Sequence, residues 1–229
     1  PKNVGHTHPD AGHFIIYANG GFVLKNNGYV KRQTKYHNVA LFDGKGQWGE
    51  HSKWFTPWPL DPERYPFISD VKSDQKMDII SSDMSRAYDV ANLTKYTRKL
   101  IWLKKENVVV VVDDVKCDIP TEVSLNFYPE SQIGKCYGNI YQDQTGLHNV
   151  RIENLTEGAV VSKGRQFIEN RKNRNGEETA VITISKKTSN DIFVTAISWS
   201  LPDETPNVVS YDRKSGMIKV GKHKIDIKK

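Results

Sequence analysis

The chain has 229 residues, of which 37% are hydrophobic and 10% aromatic, so it can bury a substantial core and is not intrinsically disordered. Its formal net charge of +6 favours an acidic partner, but the positive charges form no arginine-rich helix and no nucleic-acid motif, so we expect no nucleic-acid partner. No apolar run approaches the roughly 20 residues of a membrane span, so we expect none.

The N-terminal part of the chain reads as short strands joined by glycine turns. The apolar runs Phe14–Ala18 and Phe22–Leu24 flank Asn19-Gly20-Gly21, whose residues tolerate positive φ, and this pattern predicts a β-hairpin. The segment Gln47–Tyr65 is rich in tryptophan and proline and lacks periodicity, so we interpret it as a long ordered loop. Between the hairpin and this loop, further strands are predicted over Tyr29–Thr34 and His37–Asp43.

Strand patterns resume at Phe67 and continue at nearly regular spacing. The run Met77–Tyr88 alternates like a strand, with a short helix near Ser85–Leu93 as the competing interpretation. Five consecutive valines, Val108–Val112, predict a strand buried on both faces at the centre of a sandwich, with Asp113 and Asp114 ending it. Other strands are predicted over Tyr96–Lys104, Thr121–Tyr128, Cys136–Gln142, Leu147–Asn154, Ala159–Ser162, Thr179–Ser185 and Ile192–Trp199.

Many short strands with turn signals and almost no helix predict an all-β fold, a large antiparallel β-sandwich of supersandwich type. No linker interrupts the pattern, so one domain is predicted over residues 1–229. The proline-bearing segment Leu201–Pro206 leaves room for a small C-terminal sheet over residues 202–229. The spacing of Cys117 and Cys136 fits no metal motif and leaves open whether the two pair.

The candidate site lies in the first forty residues. In an extended chain, alternate residues share a face, so His6, His8 and Asp10 would point the same way. Two histidines and a nearby oxygen ligand suit a divalent metal, most simply Zn²⁺, with His37 returning on a later strand and Asn26 at the turn between them. The alternative is that these histidines are ordinary hydrogen-bonded polar residues. Asp10 is either a ligand or a partner that orients one.

The ordered set GHTHPDAGHFIIYANGGFVL, NNGY and YHNVALFDGKGQ resembles the opening of the β-domain of the heparinase II/III-like polysaccharide lyases. The later segment TRKLIWLKKENVVVVVDDV is similar to a strand pair of the same family. The likeness covers roughly the first half of the chain. It implies an enzyme that cleaves uronic-acid-containing polysaccharides, of glycosaminoglycan or alginate type, by β-elimination.

The resemblance also assigns roles to residues of this sequence. His6 matches the histidine that approaches the substrate carboxylate, and His8 and His37 match metal ligands. Asn26 stands where the family usually has Asp, which lowers the expected metal affinity because a neutral amide replaces a carboxylate. The metal, expected to be zinc, would be mainly structural.

Three further residues follow the metal-ligand segment and are candidates for contacting an anionic sugar, with ordinary surface roles as the alternative: Tyr29, Arg32 and Tyr36. The resemblance places the main acid and base on a preceding helical toroid domain. The chain starts at Pro1 within the motif, so we expect a fragment that is inactive alone, from a periplasmic or secreted enzyme. The competing functions are a non-catalytic carbohydrate-binding β-sandwich and a purely structural β-domain. A histidine at the position of His6 favours the lyase.

Overall fold

The structure, a computed structural model, describes residues 8–27, 32–51, 64–169 and 176–227. Within these ranges the fold is all-β, with a 3-10 turn at Thr34–Tyr36. No helix there is long and apolar enough to cross a bilayer. The strands are β1 Ile16–Ala18, β2 Gly21–Leu24, β3 Ala40–Phe42, β4 Phe67–Ser73, β5 Met77–Asp83, β6 Leu93–Leu103, β7 Val108–Phe127, β8 Lys135–Tyr137, β9 Ile140–Gln144, β10 Asn149–Asn154, β11 Val160–Glu169, β12 Gly176–Ser200, β13 Val209–Asp212, β14 Met217–Val220 and β15 His223–Asp226.

A large antiparallel sheet organises the molecule around β7 and β12, its two longest strands. The sheet order is β4-β5-β6-β7-β12-β10-β9-β8, with β3 added to β7 and β11 added to β12. The valine run at the start of β7 pairs with β6 on one side and β12 on the other, and every valine in it is buried. The prediction of a central buried strand at Val108–Val112 is confirmed.

The prediction that Asp113 and Asp114 end this strand is wrong, because β7 continues through them to Phe127. Each carboxylate finds a cationic partner on the neighbouring strand β6. Asp113 is buried and bound by Arg98, whereas Asp114 is paired with Lys95 near the surface. Because both charges are compensated, two consecutive acidic residues do not interrupt the sheet. The strands predicted over Thr179–Ser185 and Ile192–Trp199 likewise merge into β12, with a bulge between Thr188 and Asn190.

The two faces of β7 contribute to two separate apolar clusters. Val109, Val111 and Val115 belong to the larger one, which also takes in the β1–β2 hairpin and residues from both halves of β7 and β12. Val110 belongs to the smaller one, which also contains Ile218 of the C-terminal sheet. That sheet is three-stranded, in the order β13-β14-β15, so a small separate sheet exists within the predicted range 202–229.

Several local predictions are modified. The β1–β2 hairpin is confirmed, with Asn19 and Gly20 at φ of 49° and 85°. The strand predicted over His37–Asp43 shrinks to β3, because His37 and Asn38 bond to other segments instead of a sheet ladder. The competing helix at Ser85–Leu93 is wrong; β5 ends at Asp83 and turns follow. Cys117 and Cys136 are free thiols.

Candidate metal centre

The segment from His8 to His13 is a turn that leads into β1. The backbone N–H of His13 donates to the Asp10 carbonyl at 2.8 Å, and Gly12 adopts φ of +79°. A side chain at Gly12 would be strained at this φ and its Cβ would lie 2.1 Å from Sδ of Met84. The turn therefore depends on glycine at this position.

His37 reaches the same place from the other side. It caps the 3-10 turn Thr34–Tyr36, and its backbone N–H donates to the Thr34 carbonyl at 3.1 Å. The Thr34 hydroxyl in turn donates to the Pro9 carbonyl at 2.9 Å, which ties this turn to the segment that carries His8. The His37 side chain is entirely buried.

Three imidazoles and a carboxylate converge there. Nδ1 of His8 lies 3.3 Å from Nε2 of His37, and the Asp10 carboxylate lies 4.0 Å from Nδ1 of His37. One ligand atom from each of His8, Asp10 and His37 lies within 4.8 Å of the other two. The ring of His13 packs edge-on against His37, with 5.2 Å between centroids. The structure thus brings together two histidines separated by 29 positions in the sequence.

Burial keeps these imidazoles neutral. Desolvation, and then repulsion from protonated His13 and His8, lowers the pKa of His37 to about 3. Desolvation, and then the charges of Arg98 and His8, lowers the pKa of His13 to about 4. The pKa of His8 is also lowered by burial and by Arg32, whereas burial raises the pKa of Asp10 to about 6. At neutral pH the three rings are therefore uncharged.

The donor set fits a zinc-like ion. Zn²⁺ binds imidazole nitrogens at about 2.0–2.1 Å in a tetrahedral arrangement, so two such ligands lie about 3.3 Å from one another. The nitrogens of His8 and His37 have this separation, 3.3 Å. Nδ1 of His37 is buried, has no hydrogen-bond partner among the described residues, and faces Asp10. At 4.0 Å the Asp10 carboxylate is too distant for a hydrogen bond to Nδ1 of His37. It nevertheless lies beside the ring nitrogen that would not bind the metal, which is where carboxylates commonly orient a ligating imidazole.

The other predicted site residues lie in different surroundings. Asn26 is exposed beyond β2, and its buried neighbour Asn27 donates instead to the Tyr36 carbonyl. Arg32 is buried and its charge acts on His8. Tyr36 is buried beside Lys35. The predictions for His6 and Tyr29 fall outside the described residues, as does most of the loop predicted over Gln47–Tyr65.

His13 is a site residue that the sequence reasoning did not single out. Its Nδ1 accepts the backbone N–H of Asn38 at 3.0 Å, so in the neutral ring the hydrogen is on Nε2. Nε2 is buried and has no hydrogen-bond partner among the described residues. His13 therefore presents a donor, not a lone pair, and is suited to an oxygen acceptor more than to a metal. Its place in the same short segment as His8 was the available signal.

The fold recurs in solved heparinase structures. The heparan sulfate lyase HepC from Pedobacter heparinus matches 96% of this chain, with a TM-score of 0.73 and 13% sequence identity. A heparinase III described as the BT4657 gene product matches 98% of this chain, with a TM-score of 0.75 and 17% sequence identity. The chain spans little more than a third of the length of each, 36% and 37%. A comparison with curated proteins finds no match. Residues 1–203 match the family described as heparinase II/III-like, C-terminal, and the chain belongs to that family.

Proposed function

We propose that this chain forms the β-sandwich of a polysaccharide lyase that cleaves a uronic-acid-containing acidic polysaccharide, of glycosaminoglycan or alginate type, by β-elimination. Membership of the heparinase II/III-like C-terminal family supports a lyase context. The single observation that carries the proposal is the 3.3 Å approach of His8 and His37. It assembles the family-like histidine motif into a defined centre beside the N-terminal segment, where His6 would face substrate.

In this proposal His8 and His37 hold a divalent metal, most simply zinc, with Asp10 orienting His37. The neutral state of both imidazoles supports this, because protonated histidines do not bind metals. When bound, the ion would supply a fixed positive centre that ties the His8 segment to the His37 segment. Asn26, as a neutral and exposed residue, would add at most a weak oxygen ligand.

The substrate contacts rest on charge. Arg32 lies close enough to His8 for its guanidinium to lower the pKa of that ring. A guanidinium is well suited to a uronate carboxylate or a sulfate, which it can hold with two parallel hydrogen bonds. Tyr29 and Tyr36 complete the proposed set. Arg32 and Tyr36 are equally buried, so both would act from beneath this surface, Arg32 through its charge.

The proposed reaction begins when a base removes the C5 proton of the uronate. The electron pair left at C5 forms the C4–C5 double bond, and the C4–O bond breaks as the leaving oxygen takes a proton. His6 would hydrogen-bond the carboxylate and stabilise the negative charge that develops on it. The base and the acid are proposed to lie on a helical toroid domain of the same protein.

The test is product formation by the full-length protein. Heparan sulfate, chondroitin sulfate and alginate are each incubated with the protein, and the ultraviolet absorbance of unsaturated uronate is followed. One of these substrates should give a rising signal, and the same polymer with its carboxyl groups reduced should give none, because C5 is then no longer acidic. Binding of all three polymers without any unsaturated product would reject the lyase proposal.

That outcome would favour the second candidate, a non-catalytic carbohydrate-binding module. An open apolar groove of about 410 Å³ supports it, running between β1 and strands β5, β6, β7 and β12 of the large sheet. Two exposed aromatic rings, Tyr17 and Trp102, flank this groove and could stack on sugar rings. Substitution of Trp102 by Ala would then weaken polysaccharide binding, whereas under the lyase proposal it leaves cleavage intact.

A further inference from the structure

The segment that carries His8 and His13 has no sheet ladder to hold it. Strand β1 begins only at Ile16, and residues 8–15 lie in bends, turns and irregular backbone. The position of this segment must therefore be set by side chains that reach it from elsewhere. Beside the Thr34 hydroxyl, which bonds Pro9, the side chains of Arg98, Asn38 and Gln47 do so.

The Arg98 side chain is almost completely buried, at 1% exposure. One end of its guanidinium is held by Asp113, with Nε donating to Oδ1 at 2.7 Å and Nη2 to Oδ2 at 3.1 Å. The remaining nitrogen, Nη1, donates to the carbonyls of Gly12 at 2.9 Å and Asn38 at 2.6 Å. One guanidinium thus joins the turn that carries His13 to the residue that follows His37.

Asn38 continues this connection. Its backbone N–H donates to His13, and its amide nitrogen donates to the carbonyls of Phe14 at 2.8 Å and Lys25 at 3.1 Å. Its amide oxygen accepts the backbone N–H of Tyr128 at 2.7 Å. Every polar group of Asn38 is therefore engaged, and its neighbour His37 has little freedom to move relative to the His13 turn.

Gln47 also binds the same turn, through hydrogen bonds to the backbone of Ala11. Its amide oxygen accepts the Ala11 N–H and its amide nitrogen donates to the Ala11 carbonyl, both at 2.8 Å, as a neighbouring β-strand would. The backbone N–H of Gln47 donates to the Thr34 hydroxyl, which itself holds Pro9. We call Arg98, Asn38 and Gln47 the clamp.

A buried ion pair is a poor way to gain stability, because desolvation of both charges offsets their attraction. The Arg98–Asp113 pair instead supplies donors that an apolar residue cannot supply, directed at two carbonyls beside the candidate ligands. We propose that Arg98, held by Asp113, is a positioning residue that fixes the distance between the His8 segment and His37 and thereby sets the metal affinity of the site. This inference rests on the proposed metal-binding function.

The first test compares two identical substitutions in the full-length protein. Arg98→Lys retains the charge, but a single ammonium cannot hold a carboxylate through two nitrogens and also reach two carbonyls. Arg151→Lys is the matched control, because Arg151 also binds an acidic residue, Glu153, through two nitrogens, on β10 and outside the clamp. Zinc affinity is measured by competition with a chromogenic chelator, and the site geometry by the visible spectrum of bound Co²⁺.

We expect Arg98→Lys to lower zinc affinity by about 10–100-fold and to alter the Co²⁺ spectrum, as loss of a partner behind a metal ligand does. Arg151→Lys should leave both unchanged. Equal zinc affinity in wild type and Arg98→Lys would overturn the inference, and so would an equal loss in Arg151→Lys. If Arg98→Lys does not fold, Gln47→Met takes its place, since it releases the Ala11 contact and a single hydrogen bond to the Tyr88 hydroxyl. Unchanged zinc affinity in that variant would equally overturn the clamp.

A second measurement needs no metal. Hydrogen exchange of the chelator-treated protein reports the N–H groups of Ala11 and Asn38, which donate to Gln47 and His13. Both should exchange faster in Arg98→Lys and at the wild-type rate in Arg151→Lys. If wild type binds no zinc, the proposed metal function fails, but faster local exchange still supports the clamp. Unchanged exchange in Arg98→Lys would reject the clamp whatever the metal content.

Discussion

Arg98 and Asp113 sit directly opposite one another on β6 and β7, and their side chains, 1% and 0% exposed, form an ion pair enclosed by protein. The next residue, Asp114, pairs with Lys95 and has a side chain that is 32% exposed. Two adjacent aspartates with arginine and lysine partners on the same strand thus differ mainly in burial. They offer a direct comparison of a buried and a surface ion pair in one strand.

The first prediction uses this comparison. Asp113→Asn leaves the Arg98 charge buried without its counter-ion, so it should lower the free energy of unfolding by about 3–5 kcal/mol. Asp114→Asn should lower it by about 0–1 kcal/mol, because water solvates the freed Lys95. Chemical denaturation of both variants measures the difference. Similar losses for the two would show that leaving the Arg98 charge buried without its counter-ion has no special cost.

The second prediction concerns the C-terminal sheet. Ile218 of β14 is fully buried and contributes to the cluster between this sheet and the valines of β7. Ile218→Ala should therefore lower the free energy of unfolding by about 2–5 kcal/mol, through lost apolar burial and the cavity it leaves. Thermal or chemical denaturation measures it.

Val208, next to β13 but 60% exposed, is the control for that experiment. Val208→Ala should change the free energy of unfolding by less than about 0.5 kcal/mol. If Ile218→Ala were equally harmless, the C-terminal sheet would contribute nothing to the stability of the large sheet, and the smaller apolar cluster would not be a core.

The Arg98–Asp113 ion pair could have been predicted from the alternation and register of its two strands. Alternation places Arg98 on the face of β6 that carries Tyr96, and Asp113 on the face of β7 that carries Val111. The short connection after Leu103 pairs that residue with Val108, which sets the register that opposes Arg98 and Asp113. The sequence pattern thus predicts that Arg98 and Asp113 both face inward with opposite charges. The adjacent acidic residues Asp113 and Asp114 were instead interpreted as the end of the strand.

The site was less predictable, because no regular element fixes it. His8 and Asp10 were expected to share the face of an extended segment, whereas the chain bends and turns there and they approach different nitrogens of His37. The turn depends on Gly12 and on side chains such as Arg98, which is 86 residues away in sequence. Such long-range contacts leave no periodic signal.

The third prediction tests the metal ligands. His8→Ala and His37→Ala should each lose most bound divalent metal, because the two imidazoles at 3.3 Å are the proposed nitrogen donors. His51→Ala is the control, since the His51 side chain is 82% exposed and pairs only with Glu50 among the ion pairs described. Elemental analysis of the purified full-length proteins gives the metal content. The same content in all four proteins, wild type included, would rule out this centre.

The fourth prediction concerns His6, whose role rests on the family resemblance. His6 precedes His8 by two residues, a spacing of roughly 6.5–7 Å in an extended chain, which is too far to share one ion easily. It is therefore expected to line the cleft and hydrogen-bond the uronate carboxylate. Loss of one hydrogen bond that stabilises a developing charge typically lowers turnover by about 10²–10³-fold.

His6→Ala in the full-length protein should show this loss in the rate at which unsaturated uronate absorbance appears, with metal content retained. His8→Ala separates the two roles, since it should lose metal as well as activity. His51→Ala should retain both, because that side chain is exposed to solvent. A His6→Ala protein that folds normally and turns over acidic polysaccharide at the wild-type rate would make His6 a structural histidine, and the cleft wall would then have to be sought elsewhere on the sandwich.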